Sequence, residues 1–173
     1  MILAVHILVG AAVTTQIRIT WLAWLLAFFS HFLLDFIPHY DYSLKGVELG
    51  WKNKKFWWVV FKVALDLALG FILIIIFSQN KRNLINIIVG GFLGILPDGF
   101  NVISRLLKNQ NWKKFLSGAA LEAGLETKTN IVSKTTGLYI QSHESLHSSS
   151  KKTQKLWGVI NQIIVLLTAL ILL

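Results

Sequence analysis

Apolar residues fall in five long runs, and the polar residues inside those runs are few and of particular kinds. The runs cover about residues 2–17, 20–38, 56–78, 84–104 and 156–173. A helix that crosses a bilayer needs roughly 20 mostly apolar residues. Each run comes near that length, and the third holds the strongest stretch, LGFILIIIF. The pattern predicts an all-α fold, a polytopic integral membrane bundle of about five helices. Trp21, Trp24, Trp57, Trp58 and Trp157 lie near the ends of runs, where interfacial aromatics anchor helices. The opening MILAVHILVGAAVTT lacks the basic n-region of a signal peptide and carries a histidine, so it reads as a retained helix.

Residues 105–155 break the pattern. FLSGAALEAGLE predicts a short helix on the membrane surface, and KTNIVSKTTGLYIQS an extended or irregular stretch. The whole chain, 1–173, then reads as one membrane domain, with 105–155 as a polar cytoplasmic segment before a C-terminal helix at 156–173. The first four runs also suggest an internal duplication of a helix pair, 1–55 and 56–104. VHILVGA in the first half answers LDLALGF in the second, and FIPHYD answers ILPDGFN. In that register His6 matches Asp66 and His39 matches Asp98.

Composition supports a lipid solvent. The chain is 54% hydrophobic and 14% charged, with a mean hydropathy of +0.61. Soluble domains are nearer a quarter charged. The formal net charge of +9 would suggest nucleic acid in a soluble protein. Here it reads as a basic face against anionic lipid, and no nucleic-acid partner is expected. The connections after the first and third runs carry three basic residues, Arg18, Lys81 and Arg82, against thirteen in 39–55 and 105–155. The positive-inside rule therefore puts the N-terminus in the cytoplasm. With no cysteine, disulfides, thiolate metal sites and cysteine nucleophiles are excluded.

The polar residues within the runs carry the chemistry. A charged side chain inside a bilayer costs about 2.5–3.5 kcal/mol on insertion scales. Such residues persist when they pair, line a cavity or bind something. In SHFLLDFIPHYDY, the residues His31, Asp35, Pro38 and His39 recur at spacings of four, three and one, on one helical face. Imidazole and carboxylate together suit zinc, manganese or iron. His6 and Asp98 reach the same membrane face by topology. Asp66 lies deep in the third run, where Lys62 four residues earlier offers a structural ion pair instead. QSHESLHSSSKK contains His143, Glu144 and His147 in the H-E-x-x-H order of zinc proteases, in which the glutamate is general base. All five histidines and all four aspartates lie in or beside segments that can converge near one face. That gathering suggests a metal site of one or two ions open to amphiphilic substrates.

The HILVGA start, the SHFLLDFIPHYD step, the LPD step and the late histidine pair resemble a family of small polytopic bacterial inner-membrane metal-dependent hydrolases, the LexA-regulated group among them. That family more typically shows Pro-Asp-x-Asp, His-Arg and Thr-His-Ser steps, where this chain reads IPHYD, LPDGFN and HESLH. The resemblance implies a multi-pass protein of a bacterial-type inner membrane with hydrolase activity.

The leading expectation is metal-dependent hydrolysis of a lipid phosphoester at the cytoplasmic face, with membrane lipids as partners and zinc ahead of manganese or iron. The candidate ligands are His6, His31, Asp35, His39, Asp66, Asp98, His143 and His147, with Asp41 and Asp66 as ligand or orienting groups. Glu144 and Asp41 are the catalytic candidates. Lys52, Lys54 and Lys55 could hold an anionic head group or act only as positive-inside charge. A membrane metalloprotease built on His143, Glu144 and His147 is the alternative enzyme. The non-enzymatic alternative is a metal-binding or transport membrane protein. The enzymes separate on one comparison. In a protease, Glu144→Gln abolishes peptide cleavage and leaves metal bound, whereas in the lipid hydrolase loss of His31 or Asp98 lowers activity at least as much.

Overall fold

The computed structural model describes residues 3–39, 44–79, 83–108 and 152–173. They are all-helical, with no strand among the described residues. The helices are α1 (Leu3–Gln16), α2 (Thr20–Asp35), α3 (Lys54–Phe77), α4 (Leu84–Lys108) and α5 (Lys152–Leu172), with a short 3-10 helix at Lys45–Leu49. The expectations for FLSGAALEAGLE and KTNIVSKTTGLYIQS fall outside the described residues. Two helices, α3 and Leu84–Leu106 of α4, are long and apolar enough to cross a membrane. The apolar parts of the other three, Leu3–Gln16, Thr20–Asp35 and Leu156–Leu172, are shorter.

Two helix ends differ from the sequence expectation. α2 stops at Asp35 rather than running to residue 38. Pro38 has no N–H to give and disfavours helical backbone at Ile37, so the helix closes with a last turn in which Ile37 N–H donates to Leu34 O. α4 instead runs straight through Pro97 to Lys108. The proline removes one intrahelical donor without ending the helix.

The described residues form two compact units, one within 1–42, 63–98 and 147–173 and the other within 43–62 and 99–146. In the first, α1 is the axis. It is apolar on every side, and Leu3 to Leu8 and Gly10 to Ala12 are buried. α2 and α5 pack directly on it. Ile7, Leu8, Ala11 and Ala12 join Ile74 of α3, Ile87 of α4 and Ala169 of α5 in one core.

Close approach in this unit rests on glycine. A Cβ at Gly94 would lie 2.5 Å from the carbonyl oxygen of His6, and one at Gly90 would collide with the Thr14 side chain. On the facing helix, a Cβ at Gly10 would strike the Gly90 carbonyl. α1 and α4 therefore meet backbone to backbone along a small-residue stripe, Gly90 and Gly94 being four apart. α3 approaches through Gly70, whose Cβ would come within 2.7 Å of Ile7.

α2 has inverted polarity. Its inward face is Ala23, Ala27, Ser30, His31, Leu34 and Asp35, all buried, while Trp21, Leu25, Phe29, Leu33 and Phe36 are exposed. The large apolar groups face outward and the ionisable ones inward.

The second unit is small. Val47, Phe56 and Val59 are buried, and Gly46 sits under Val59. Gly50 takes φ 76°, a left-handed backbone that favours glycine. Arg105 pairs with Glu48 at 2.8 Å and also donates to Asn101.

The glycine contact predicts a paired outcome. Gly94→Ala forces a methyl group against the His6 backbone and should cost about 1–3 kcal/mol, as overpacking does. Gly99→Ala, where an added Cβ meets nothing within 4 Å, should be neutral or stabilise by up to about 1 kcal/mol through helix propensity. Unfolding of the two variants in detergent, beside wild type, measures both.

Candidate metal centre

The centre forms where the start of α1, the end of α2 and the Gly94–Asp98 stretch of α4 meet. His31 and Asp35 are one turn apart on α2, so their side chains stack on its inner face. The His31 Nε2 lies 3.2 Å from Asp35 Oδ2. Asp35 reaches the other way with Oδ1, 3.5 Å from His6 Nε2. The two imidazole rings lie 4.4 Å apart, tilted by 32°. Asp98 enters from α4, its Oδ1 4.0 Å from His31 Nε2. His6, His31 and Asp98 each offer a ligand atom within 4.8 Å of one another, so this group could hold a metal ion. His6 and His31 are fully enclosed, whereas the Asp98 side chain keeps 16% exposure and opens the cluster to the surface.

Hydrogen bonding fixes the electronic state of His31. Its Nδ1 lies 3.1 Å from the Gly94 carbonyl. A carbonyl only accepts, so Nδ1 carries the proton and donates it. In the neutral ring Nε2 then holds a lone pair, aimed at two carboxylates. Lone pair and carboxylate repel unless a cation, proton or metal, lies between them. A backbone carbonyl on the far nitrogen is the usual way in which a metal-binding histidine is oriented. His6 has the complementary oddity. Both its ring nitrogens are buried with no hydrogen-bond partner among the described residues. A buried polar group left so costs about 1–3 kcal/mol, which a bound ion would offset. Two imidazole nitrogens and carboxylate oxygen form a donor set that fits zinc, and also manganese or iron.

The remaining expected ligands are placed differently. Asp66 lies at the start of α1, where its Oδ2 accepts from Leu3 N–H at 2.7 Å and its Oδ1 from Ala4 N–H at 3.2 Å. It caps a helix from another helix, satisfying two of the N–H groups that every helix start leaves open. Lys62, the proposed ion-pair partner of Asp66, has its ammonium over the Trp58 ring, 5.5 Å from the centroid. His39 is not on the α2 stripe, since the helix ends at Asp35, and its Nδ1–H donates to Ile37 O at 2.6 Å. Asp41, His143, Glu144 and His147 lie outside the described residues.

Gly94 was not among the expected site residues, yet it both admits α1 and orients His31. Its signal in the sequence is GGFLG at residues 90–94, small residues four apart in an apolar run. Asn161 of α5 adds a tie, donating to Pro38 O just past α2 at 3.2 Å. Compared with protein-family models, curated proteins and solved structures, the chain matches none.

The cap separates from the ligands by experiment. Asp66→Ala should lower stability by about 1–2 kcal/mol, as lost helix caps do, while the folded protein keeps the wild-type affinity for added zinc. Unfolding together with a zinc titration reads both quantities.

Proposed function

We propose that the chain is a multi-pass membrane protein whose His6, His31 and Asp98 hold a divalent ion, zinc first, and that it hydrolyses a phosphoester of an amphiphilic lipid. The carrying observation is His31, whose Nδ1–H donates to the Gly94 carbonyl and whose Nε2 turns toward two carboxylates. The inverted polarity of α2 supports lipid as the surrounding solvent, because an apolar exterior around an ionisable interior is what a bilayer favours. Location in a bacterial inner membrane, and the hydrolase class, rest on the sequence resemblance.

When bound, such an ion acidifies a water molecule and draws charge from a phosphoryl oxygen. The protein's own groups have distinct tasks. His31 is held in one tautomer by the Gly94 carbonyl. Asp35, whose two oxygens face the Nε2 atoms of His31 and His6, would add negative charge beside the ion or share a proton with either ring. Asp98, the most exposed of the three ligand groups, faces the side from which substrate and water arrive. The outward apolar face of α2 lets an amphiphile approach through lipid.

A specific rival has support in the same distances: His31 or His6 protonated, paired with Asp35, with no ion bound and no reaction. Metal analysis decides between the two. The purified protein in detergent should carry about one zinc, manganese or iron per chain, since a preformed site binds when folded. His6→Ala, His31→Ala and Asp98→Ala should lose it, and Asp35→Asn, which removes a negative charge beside the ion, should weaken it. Hydrolysis of phospholipid phosphoesters should fall in parallel. A wild type that takes up no metal on reconstitution overturns the hydrolase and leaves the ion pair.

A further inference from the structure

A groove runs along α1 in the same unit as the His/Asp cluster, between α2 and α5, which both pack on that helix. It has a volume of about 350 Å³ and is walled almost wholly by hydrocarbon. Val9, Val13 and Gln16 form its floor, at spacings of four and three on one face of α1. Thr168 and Leu172 of α5 form one side, and Leu34 of α2 stands at the end nearest the cluster. The two polar side chains in the wall are occupied. Thr168 gives its hydroxyl proton to Ile164 O at 2.8 Å, and Gln16 gives its amide hydrogens to Leu172 O at 3.1 Å and to the Thr15 hydroxyl at 3.0 Å. No side-chain donor is left in the wall for a polar ligand, so an occupant is held by shape and dispersion.

The groove and the cluster share two walls. On α1, the face of Val9, Val13 and Gln16 continues back to His6, three residues before Val9. On α2, Leu34 is next in chain to Asp35 and three residues after His31. Leu34 and Val5 form a small buried cluster at the junction, with Val9 and Val165 packed against it. From His6 to Gln16 is about 15 Å along the helix at 1.5 Å per residue. Along that line ionisable groups give way to an apolar recess, the order of head and tail in an amphiphile. The outward face of α3 is different. Leu65, Leu69 and Ile72 project from it, about half exposed, and any chain of a bilayer can lie against them.

We propose, resting on the lipid-hydrolase reading above, that this groove seats one hydrocarbon chain of the phosphoester substrate and so lets the site select by tail as well as by head group. The chain lies along α1 with its polar end toward His6. The volume is at the lower end of small-molecule sites and suits one chain rather than two. Grip on a tail that does not react also holds the phosphoester in place beside the cluster, which is how remote binding energy serves a reacting centre.

The test uses the full chain in phosphatidylcholine nanodiscs, stripped with EDTA so that the outcome does not depend on an ion in the cluster. The probe is dodecyl phosphate with a photoreactive diazirine at the end of its chain, and mass spectrometry maps the labelled residues. Labelling near Val13 and Thr168 should saturate with probe, and should fall when unlabelled dodecyl phosphate, but not methyl phosphate, is added. Labelling at Leu65 and Ile72 should rise in proportion to probe throughout, as for bulk lipid. Val13→Trp and Thr168→Trp fill the groove from opposite sides. Each should lower the saturable labelling about tenfold, the lower end of what a size mismatch costs in an apolar pocket, while zinc uptake stays at the wild-type level. Groove labelling that never saturates, no groove labelling, or saturable labelling unchanged in both variants overturns the chain site. Saturable labelling in a protein that takes up no zinc upholds a lipid-chain site and removes the hydrolase. A zinc-loaded protein that cleaves short-chain and dodecyl phosphoesters equally well keeps the hydrolase and overturns selection by tail.

Discussion

The backbone-to-backbone contact of α1 with α4 sets everything else in the centre. Side chains normally keep helix axes 8–10 Å apart, and Gly90 and Gly94 remove that spacer on one side while Gly10 removes it on the other. The approach places the Gly94 carbonyl beside His31 and brings Asp98, one turn further along α4, to the two imidazoles. A wider contact would leave His6 and Asp98 on separate helices with nothing in common. The glycines thus do for the site what side chains do elsewhere, by being absent.

The second constraint is electrostatic. Two fully buried imidazoles and a buried carboxylate are costly in an apolar interior, and a cation held among them would offset that cost. Asp35 faces both rings, the Gly94 carbonyl accepts a hydrogen bond from Nδ1–H of one, and Asp98 faces the same point from the third helix. Asp66, also buried, is spent on the start of α1. The proposed duplication pairs Asp66 with His6, and in the structure the two matching positions serve different ends, one as a cap and one in the cluster.

The helices were legible because long apolar runs admit few alternatives, and their bounds followed to within a few residues. The spacing of Pro38 suggests one helical face with His31 and Asp35, but its ring disfavours helix at Ile37 and α2 ends at Asp35. Within the site, His6, His31, Asp35 and Asp98 stand out by type and by rarity in apolar surroundings. Their convergence does not, since it depends on how closely two backbones pack. The cap role of Asp66 is invisible for the same reason: it joins groups 63 positions apart. His39 lies past the end of α2, so the helical face that its spacing implied does not extend to it. The small-residue stripe at Gly90 and Gly94 was readable in principle and would have predicted the α1–α4 contact.

That long-range cap also bears on the order in which the protein can be made. The first turn of α1 is synthesised before Asp66, which later accepts hydrogen bonds from its Leu3 and Ala4 N–H groups. At roughly 5–20 residues per second, the sixty-odd intervening residues take several seconds to synthesise. For that interval those two N–H groups must find other acceptors. His6 waits longer still, for Asp98. The chain's first helix is thus among the last to be finished, and a nascent protein cut short before α4 would contain most of the histidine chemistry described here with no place to put it.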